Sequence, residues 1–148
     1  MARLGLSMQK VAPVGELATK LYNTRRFVHA AIATGKGTDM IHVISVYGYP
    51  NAARCREARA ANEDLIRDVM LYVAMLGDVP VFLCGDWNTH VEASHSLHKS
   101  IGFGQIYDLE ATFVKARGAD PQVTCVPKET SVGTRVDMFF VMRQPFPW

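Results

Sequence analysis

The sequence has few cysteines, little net charge and no long apolar run, and each shortage excludes a class of protein. Its 148 residues include 3 cysteines, none in a C-x-x-C pair, which argues against a disulfide framework and a zinc ribbon. A formal net charge of +2 predicts no chain-wide attraction to nucleic acid or membranes. The apolar run at 69–77 is far short of the roughly 20 residues of a bilayer span, and the N-terminus lacks a signal-type apolar segment. We therefore expect an intracellular protein that is not exported and has no membrane partner.

The remaining composition is that of one globular domain, with 49% hydrophobic and 20% charged residues. Residues 1–24 show no clear period and predict only a partial front segment, whereas 25–148 form the main domain. The β-branched stretches F-V-H-A-A-I-A and M-I-H-V-I-S-V-Y, separated by the turn G-K-G-T-D, predict an antiparallel hairpin. Packing within this sheet is the expected role of His29 and His42.

From Asn62 the apolar period changes to that of a helix, and a short apolar strand follows. The stripe consists of Leu65, Ile66, Val69, Val73 and Leu76. We expect Asn62 to cap this helix and Gly77 to end it. The next run, V-P-V-F-L-C, predicts a strand buried on both faces that ends at Gly85.

The later part of the chain predicts one more helix and a pair of strands. A short helix is expected over 94–101, closed by Gly102. Q-V-T-C-V and T-R-V-D-M-F-F-V-M predict two strands across a turn that contains Gly133. Helices and strands along one chain indicate the α/β class.

Two polar side chains follow the buried strand in the motif G-D-W-N. Period-two alternation points Asp86 and Asn88 the same way and Trp87 into the packing. A carboxylate can accept a proton from water or hold a divalent cation, and an amide can donate to a phosphate oxygen. The alternative is that both residues only shape a turn, since Asp, Asn and Gly are common turn formers.

Two further motifs accompany G-D-W-N, in a definite order. V-Y-G-Y-P-N precedes the helix, and T-R-V-D-M-F-F-V lies near the end of the chain. Together the three motifs resemble those of the endonuclease/exonuclease/phosphatase superfamily, metal-dependent enzymes that include DNase I-like and abasic-site nucleases. The resemblance covers about 25–142 and implies a two-sheet β-sandwich flanked by helices, present here as a partial DNase I-like domain.

The resemblance also implies roles for individual residues. Asp86 matches the aspartate that orients or deprotonates the attacking water, and Asn88 matches the asparagine that contacts the scissile phosphate. A magnesium cofactor is implied, with Asp86 and Asn88 as its expected ligands here. Tyr47 is favoured over Tyr49 as the active-site tyrosine, while Tyr49 is assigned to packing. Asp137 matches the aspartate that orients the catalytic histidine.

The sequence departs from the superfamily at both ends, which leaves more than one function open. No Gln-Glu motif with the metal-binding glutamate precedes the first matched strand, and no Ser-Asp-His motif follows the last. We expect an incomplete domain of an endonuclease that acts on nucleic acid, and His90 resembles the histidine of retroelement-type members. The alternatives are an inactive phosphate-binding remnant and a phosphatase acting on a phosphoinositide or another small phosphoester.

Three arginines follow the tyrosine-proline turn, where a phosphate backbone could pass. They are Arg54, Arg56 and Arg59, of which Arg54 is the candidate for contact with nucleic acid. A solvated surface explains these charges equally well. His95 and His98 are spaced as helix neighbours, but no cysteine or carboxylate is spaced to complete a zinc site with them.

Overall fold

The computed structural model describes residues 7–33, 40–118, 124 and 135–142, which form a mixed sheet with helices packed against it. The strands are β1 (Met8–Lys10), β2 (Phe27–Ala33), β3 (Met40–Tyr47), β4 (Val81–Asp86), β5 (Ile106–Asp108) and β6 (Asp137–Met142). The helices are α1 (Glu16–Asn23), α2 (Arg56–Met75), α3 (His95–Gly102) and α4 (Leu109–Ala116). This arrangement confirms the expected α/β class.

The six strands lie in the order β1-β2-β3-β4-β6-β5. Only β3 and β4 are parallel neighbours, and α2 provides the long crossover that a parallel pair requires. All other pairs are antiparallel. The described residues thus contain a single sheet, so they do not include the second sheet of the expected sandwich.

The two faces of this sheet differ in burial. The inner face packs against helices and forms a core that includes Leu21, Ile44, Ile66, Val69, Leu83, Trp87, Leu97 and Phe140. On the outer face Val28, Phe82 and Phe139 remain exposed. The expectation that β4 is buried on both faces is therefore wrong for the described residues, because Phe82 is 42% exposed. A continuous apolar run alone does not distinguish a strand covered on both faces from one covered on a single face.

The helix α2 begins earlier than its apolar stripe indicates. It starts at Arg56 after Cys55, so the expectation that Asn62 caps it is wrong. Asn62 lies inside the helix and is 2% exposed. The first turns are rich in Arg, Glu and Ala, and consequently the apolar period becomes visible only at Leu65. Gly77 follows the helix in the left-handed conformation with φ 75°, as expected.

The predicted hairpin and the predicted short helix α3 are confirmed. Gly102 does not close α3, however, because it is the last helical residue and the left-handed glycine that follows is Gly104, with φ 66°. Strands β2 and β3 pair antiparallel from Phe27 opposite Val46 to Ala33 opposite Met40, while their turn lies outside the described residues. The hydroxyl of Ser94 accepts a hydrogen bond from Leu97 N at 3.2 Å and so caps α3. Apart from Thr124, the predicted strand Q-V-T-C-V and its turn at Gly133 also lie outside the described residues.

The front of the chain contributes a strand to the sheet and a helix to the core. Residues 8–10 form β1, and α1 buries Ala18 and Leu21. His29 packs within the sheet as expected and is fully buried. Its Nδ1 bonds to the hydroxyl of Tyr72 at 2.8 Å, and its Nε2 to His42 Nδ1 at 2.8 Å. No helix within the described ranges has both the length and the apolar character needed to cross a bilayer.

Candidate active site

Strand register brings the candidate residues of the three motifs to one end of the sheet. Tyr47 is paired with Asp86 across the parallel β3–β4 pair, and Asp86 is opposite Asp137 across the antiparallel β4–β6 pair. Paired residues of neighbouring strands project to the same face, and here the adjacent Trp87 and Met138 are buried inward. Tyr47, Asp86 and Asp137 therefore form a row on the outer face.

The G-D-W-N turn is held by its buried tryptophan. Trp87 is fully buried and packs edge-to-face on Phe140, with ring centroids 5.3 Å apart. Its backbone N–H donates to Val136 O at 2.8 Å, and its indole N–H donates to Met138 O at 3.2 Å. These bonds attach the turn to β6, so that Asp86, Trp87 and Asp137 keep a fixed spacing.

Asp86 and Asn88 also shape the turn themselves. The Asp86 carboxylate accepts from the Asn88 backbone N–H at 3.0 Å, and Asn88 has φ 48°, a left-handed conformation that Asn tolerates better than most residues. Turn formation is thus a real role of both side chains. It leaves the other Asp86 oxygen, together with the oxygen and one N–H of the Asn88 amide, for further contacts.

Gly48 joins the Y-G-Y-P turn to the G-D-W-N turn at very close range. Its N–H donates to Asp86 O at 2.6 Å, and its carbonyl accepts from the Asn88 side-chain amide at 3.2 Å. A Cβ at this position would lie 2.3 Å from Trp87 O, so only glycine fits. The same carbonyl also accepts from the Arg26 guanidinium at 2.9 Å.

Arg26 is a residue of this site that no sequence motif singled out. Its guanidinium stacks 4.3 Å from the ring centroid of Tyr49 and 5.1 Å from that of Tyr47. Tyr49 packs partly buried against the core, whereas Tyr47 is 51% exposed at the end of β3. In the sequence, Arg26 is marked only by its position. It directly precedes β2, and β2 pairs with β3, which ends in the tyrosine motif.

Asn62 connects both turns to α2. Its side-chain oxygen accepts from Tyr49 N–H at 2.8 Å, and its side-chain NH₂ donates to Trp87 O at 2.9 Å. Asn62, which the sequence predicts as a helix cap, is thus a buried residue whose side chain hydrogen-bonds to both turns that carry the candidate residues.

The three arginines after the tyrosine-proline turn differ in their contacts. Arg59 donates to Ala52 O at 3.1 Å and to Ala53 O at 2.9 Å, so its guanidinium stabilises the turn. Arg54 lies exposed in that turn.

The oxygen donors at the end of the sheet suit a hard divalent cation that keeps most of its water ligands. Two carboxylates, Asp86 and Asp137, and the Asn88 amide are oxygen donors, the type that Mg²⁺ prefers. Among the residues that the structure describes, no three His, Cys, Asp or Glu side chains are grouped to hold a metal. Magnesium typically binds through one or two carboxylates with water and substrate phosphate completing its shell, so the residues present fit that mode.

A buried ion-pair cluster supports β6 just before Asp137. The Arg135 guanidinium binds both oxygens of Asp108 and also contacts Glu110 at 3.1 Å. Hydrogen bonding to Asp108 raises the pKa of Arg135 above its ordinary value. Asp108 additionally accepts from Ala111 N at 2.9 Å and caps α4. The cluster borders a cavity of about 300 Å³ that His90 and Met138 also line.

Sequence comparison finds no relative, whereas structural comparison finds many. No family model and no curated protein matches the chain. An AP endonuclease from Archaeoglobus fulgidus superposes with a TM-score of 0.60 and 16% identity, over 95% of this chain and 68% of that one. The endonuclease domain of TRAS1, a telomere-specific non-LTR retrotransposon, gives 0.58 and 13%, over 93% and 56%.

A humanized TDP2 from D. rerio superposes with a TM-score of 0.57 and 12% identity, over 95% of this chain and 52% of that one. The fold is therefore DNase I-like, as the resemblance implied, although identities this low show the fold alone. The chain spans about half the length of the TDP2 structure and of the TRAS1 endonuclease domain. For that reason, any enzymatic activity of this chain is a proposal.

Proposed function

We propose that the chain is a metal-dependent phosphodiesterase module that acts on nucleic acid. The observation that carries this proposal is the row of Tyr47, Asp86 and Asp137 in strand register, with Asn88 beside it. It places a phenol, two carboxylates and an amide at one edge of a rigid sheet, where a phosphodiester has access from solvent. Two structural neighbours are described as endonucleases, which agrees with a nucleic-acid substrate.

Each side chain has a chemical role that its position allows. Asp86 orients a water molecule and accepts its proton, while the amide of Asn88 holds a phosphate oxygen. Tyr47 supports the departing oxygen from its exposed position at the end of β3. Asp137 adds negative charge beside Asp86 and is the residue that would orient a histidine at this site. Magnesium, bound through Asp86 and Asn88, would neutralise charge on the phosphate.

Arg54 is the proposed contact to the nucleic-acid backbone. It lies exposed in the turn between Tyr49 and α2. A contact between its guanidinium and a backbone phosphate adds affinity that falls as salt rises, and adds little to the chemical step.

The turn-forming roles of Asp86 and Asn88 allow a sharp test. Asp86→Asn keeps the acceptor for Asn88 N–H but removes the base, and Asn88→Gly keeps the left-handed turn but removes the amide. We expect each variant to lose about 10²- to 10⁴-fold in nicking of supercoiled plasmid with Mg²⁺, while circular dichroism and melting temperature change little. Nicking that persists in both variants contradicts the assigned roles.

Two other functions give different results in the same experiment. A phosphatase of this fold hydrolyses p-nitrophenyl phosphate faster than bis(p-nitrophenyl) phosphate and leaves the plasmid intact. A non-catalytic phosphate-binding remnant hydrolyses neither ester but retards an oligonucleotide in a gel shift that Arg54→Ala weakens.

A further inference from the structure

The side chain of Asn62 is a buried amide with a donor and an acceptor both in use. It is 2% exposed and reaches from α2 to Tyr49 N at 2.8 Å and to Trp87 O at 2.9 Å. Its helix neighbours Leu65 and Ile66 point into the apolar core. An apolar residue at 62 would pack against the same surroundings, but it would leave two buried backbone groups without partners.

The two backbone groups that Asn62 holds belong to the two turns of the candidate site. Tyr49 follows Gly48, whose carbonyl positions the Asn88 amide and whose N–H bonds to Asp86 O. Trp87 separates Asp86 from Asn88. Asn62 Oδ1 would also lie 2.8 Å from a Cβ at Gly48, which shows how closely the amide fits between the turns.

We propose that Asn62 is a positioning residue, whose amide fixes the separation of the Y-G-Y-P and G-D-W-N turns and thereby the orientation of the Asn88 amide toward a bound ligand. Asn62 is buried behind both turns and acts through Tyr49 and Trp87. The inference rests on the proposed function for its catalytic consequence, but its structural part can be measured without turnover.

Two variants and one control separate positioning from general stability. Asn62→Asp has the same shape and keeps the acceptor for Tyr49 N–H, but it sets a carboxylate oxygen against Trp87 O. Asn62→Ala removes both bonds. Ile66→Val, on the same helix and buried in the core, reduces stability without removing a hydrogen bond to either turn.

Hydrogen exchange and NMR signals of the amides in the two turns are expected to distinguish the two Asn62 variants from Ile66→Val. Hydrogen-exchange protection of Tyr49 N–H should fall in Asn62→Ala by about 10-fold or more and persist in Asn62→Asp, because only Ala removes the acceptor. The ¹H–¹⁵N signals of Asn88, backbone and side chain, should shift in both. Broadening of those signals by added Mn²⁺ should weaken in both variants and remain in Ile66→Val.

Catalysis provides the second measurement. On plasmid or bis(p-nitrophenyl) phosphate with Mg²⁺, we expect kcat to fall about 10- to 100-fold in both Asn62 variants with KM little changed, and to stay near wild type in Ile66→Val. If Asn62→Ala leaves the Asn88 signals and their Mn²⁺ broadening like those of Ile66→Val, the inference is overturned. If the unmodified chain cleaves no ester, the proposed function fails, while the amide measurements still decide the position of Asn88.

Discussion

Asp86 and Asp137 lie directly opposite each other at the last paired position of the β4–β6 ladder. Cβ atoms of opposed residues in an antiparallel pair are about 4.5–5.5 Å apart, and like charges placed this way repel. We therefore expect the pair to reduce the stability of the sheet while it concentrates negative charge at the candidate site. Such an exchange of stability for local charge is typical of functional sites.

Removal of one of these charges should stabilise the fold. We expect Asp86→Asn and Asp137→Asn each to raise the free energy of unfolding at pH 7 by about 0.2–1 kcal/mol, measured by urea denaturation. Asp78→Asn, in the exposed turn before β4, is the control and should change little. A loss of stability in both site variants would show that the opposed carboxylates do not repel.

Gly48→Ala should destabilise the protein through a steric clash rather than through backbone strain. The new Cβ would lie 2.3 Å from Trp87 O, and the backbone at both positions is held by hydrogen bonds, from Gly48 N to Asp86 O and from Asn62 to Trp87 O. We expect a loss of about 1–3 kcal/mol, the range for overpacking, together with loss of nicking.

The matched substitution is Gly77→Ala, where a Cβ meets nothing within 4 Å but φ is 75°. It should cost only the conformational penalty of about 1–2 kcal/mol and leave nicking unchanged. Equal nicking by the two variants would contradict the argument that Gly48 sets the approach of the turns.

Stability should fall at mildly acidic pH because of His29. Burial, together with the nearby His42, lowers the pKa of His29 from 6.5 to about 4. Because folded His29 resists protonation, the unfolded chain takes up a proton more readily once the pH falls below 6.5, and unfolding is then favoured. Stability from His29 is therefore complete above pH 6.5 and is lost as the pH falls from 6.5 toward 4, by at most about 3 kcal/mol.

Burial lowers the pKa of His42 in the same direction, so the two histidines act together. His29→Gln can bond to Tyr72 and His42 but does not titrate. Urea midpoints measured from pH 7.5 to 4 should therefore fall less steeply for this variant than for the original chain. Parallel curves for the two proteins would assign the acid sensitivity to other groups.

Arg135→Met should destabilise the protein far more than loss of a surface ion pair does. The Arg135 side chain is only 14% exposed and binds Asp108, whose side chain is 8% exposed. Removing one partner leaves a buried carboxylate uncompensated, which costs about 3–5 kcal/mol. Arg67→Met loses an exposed contact to Asp64 and a longer one of 3.4 Å to Asp68, which stays paired with Lys20 at 2.6 Å. It should therefore cost less than about 1 kcal/mol by thermal unfolding.

The strands and the motif residues were predictable because they follow simple periods. Alternation placed Trp87 in the core, and the structure confirms that it is fully buried. The bounds of β2 and β3 also match the β-branched stretches of the sequence. Period-two patterns identify strands well when one face is buried and the register is fixed by that burial.

The contacts that assemble the site were less predictable, because they depend on hydrogen bonds between elements far apart in sequence. Asn62 has the sequence signature of a helix cap, yet its partners lie in two turns that only the fold brings together. Arg26 and the Arg135–Asp108 pair are charged residues that a pattern assigns to the surface. A polar side chain buried with its partners looks the same in sequence as one that faces water.

The exposed outer face of the sheet also carries a thiol. Cys84 is paired with Ser45 on one side and with Phe139 on the other, and it is only partly buried. Burial raises the pKa of this thiol, so it reacts slowly at neutral pH but is not sealed from reagents. Maleimide labelling mapped by mass spectrometry can therefore use Cys84 as a native reporter, whose reaction rate drops when another molecule shields that surface.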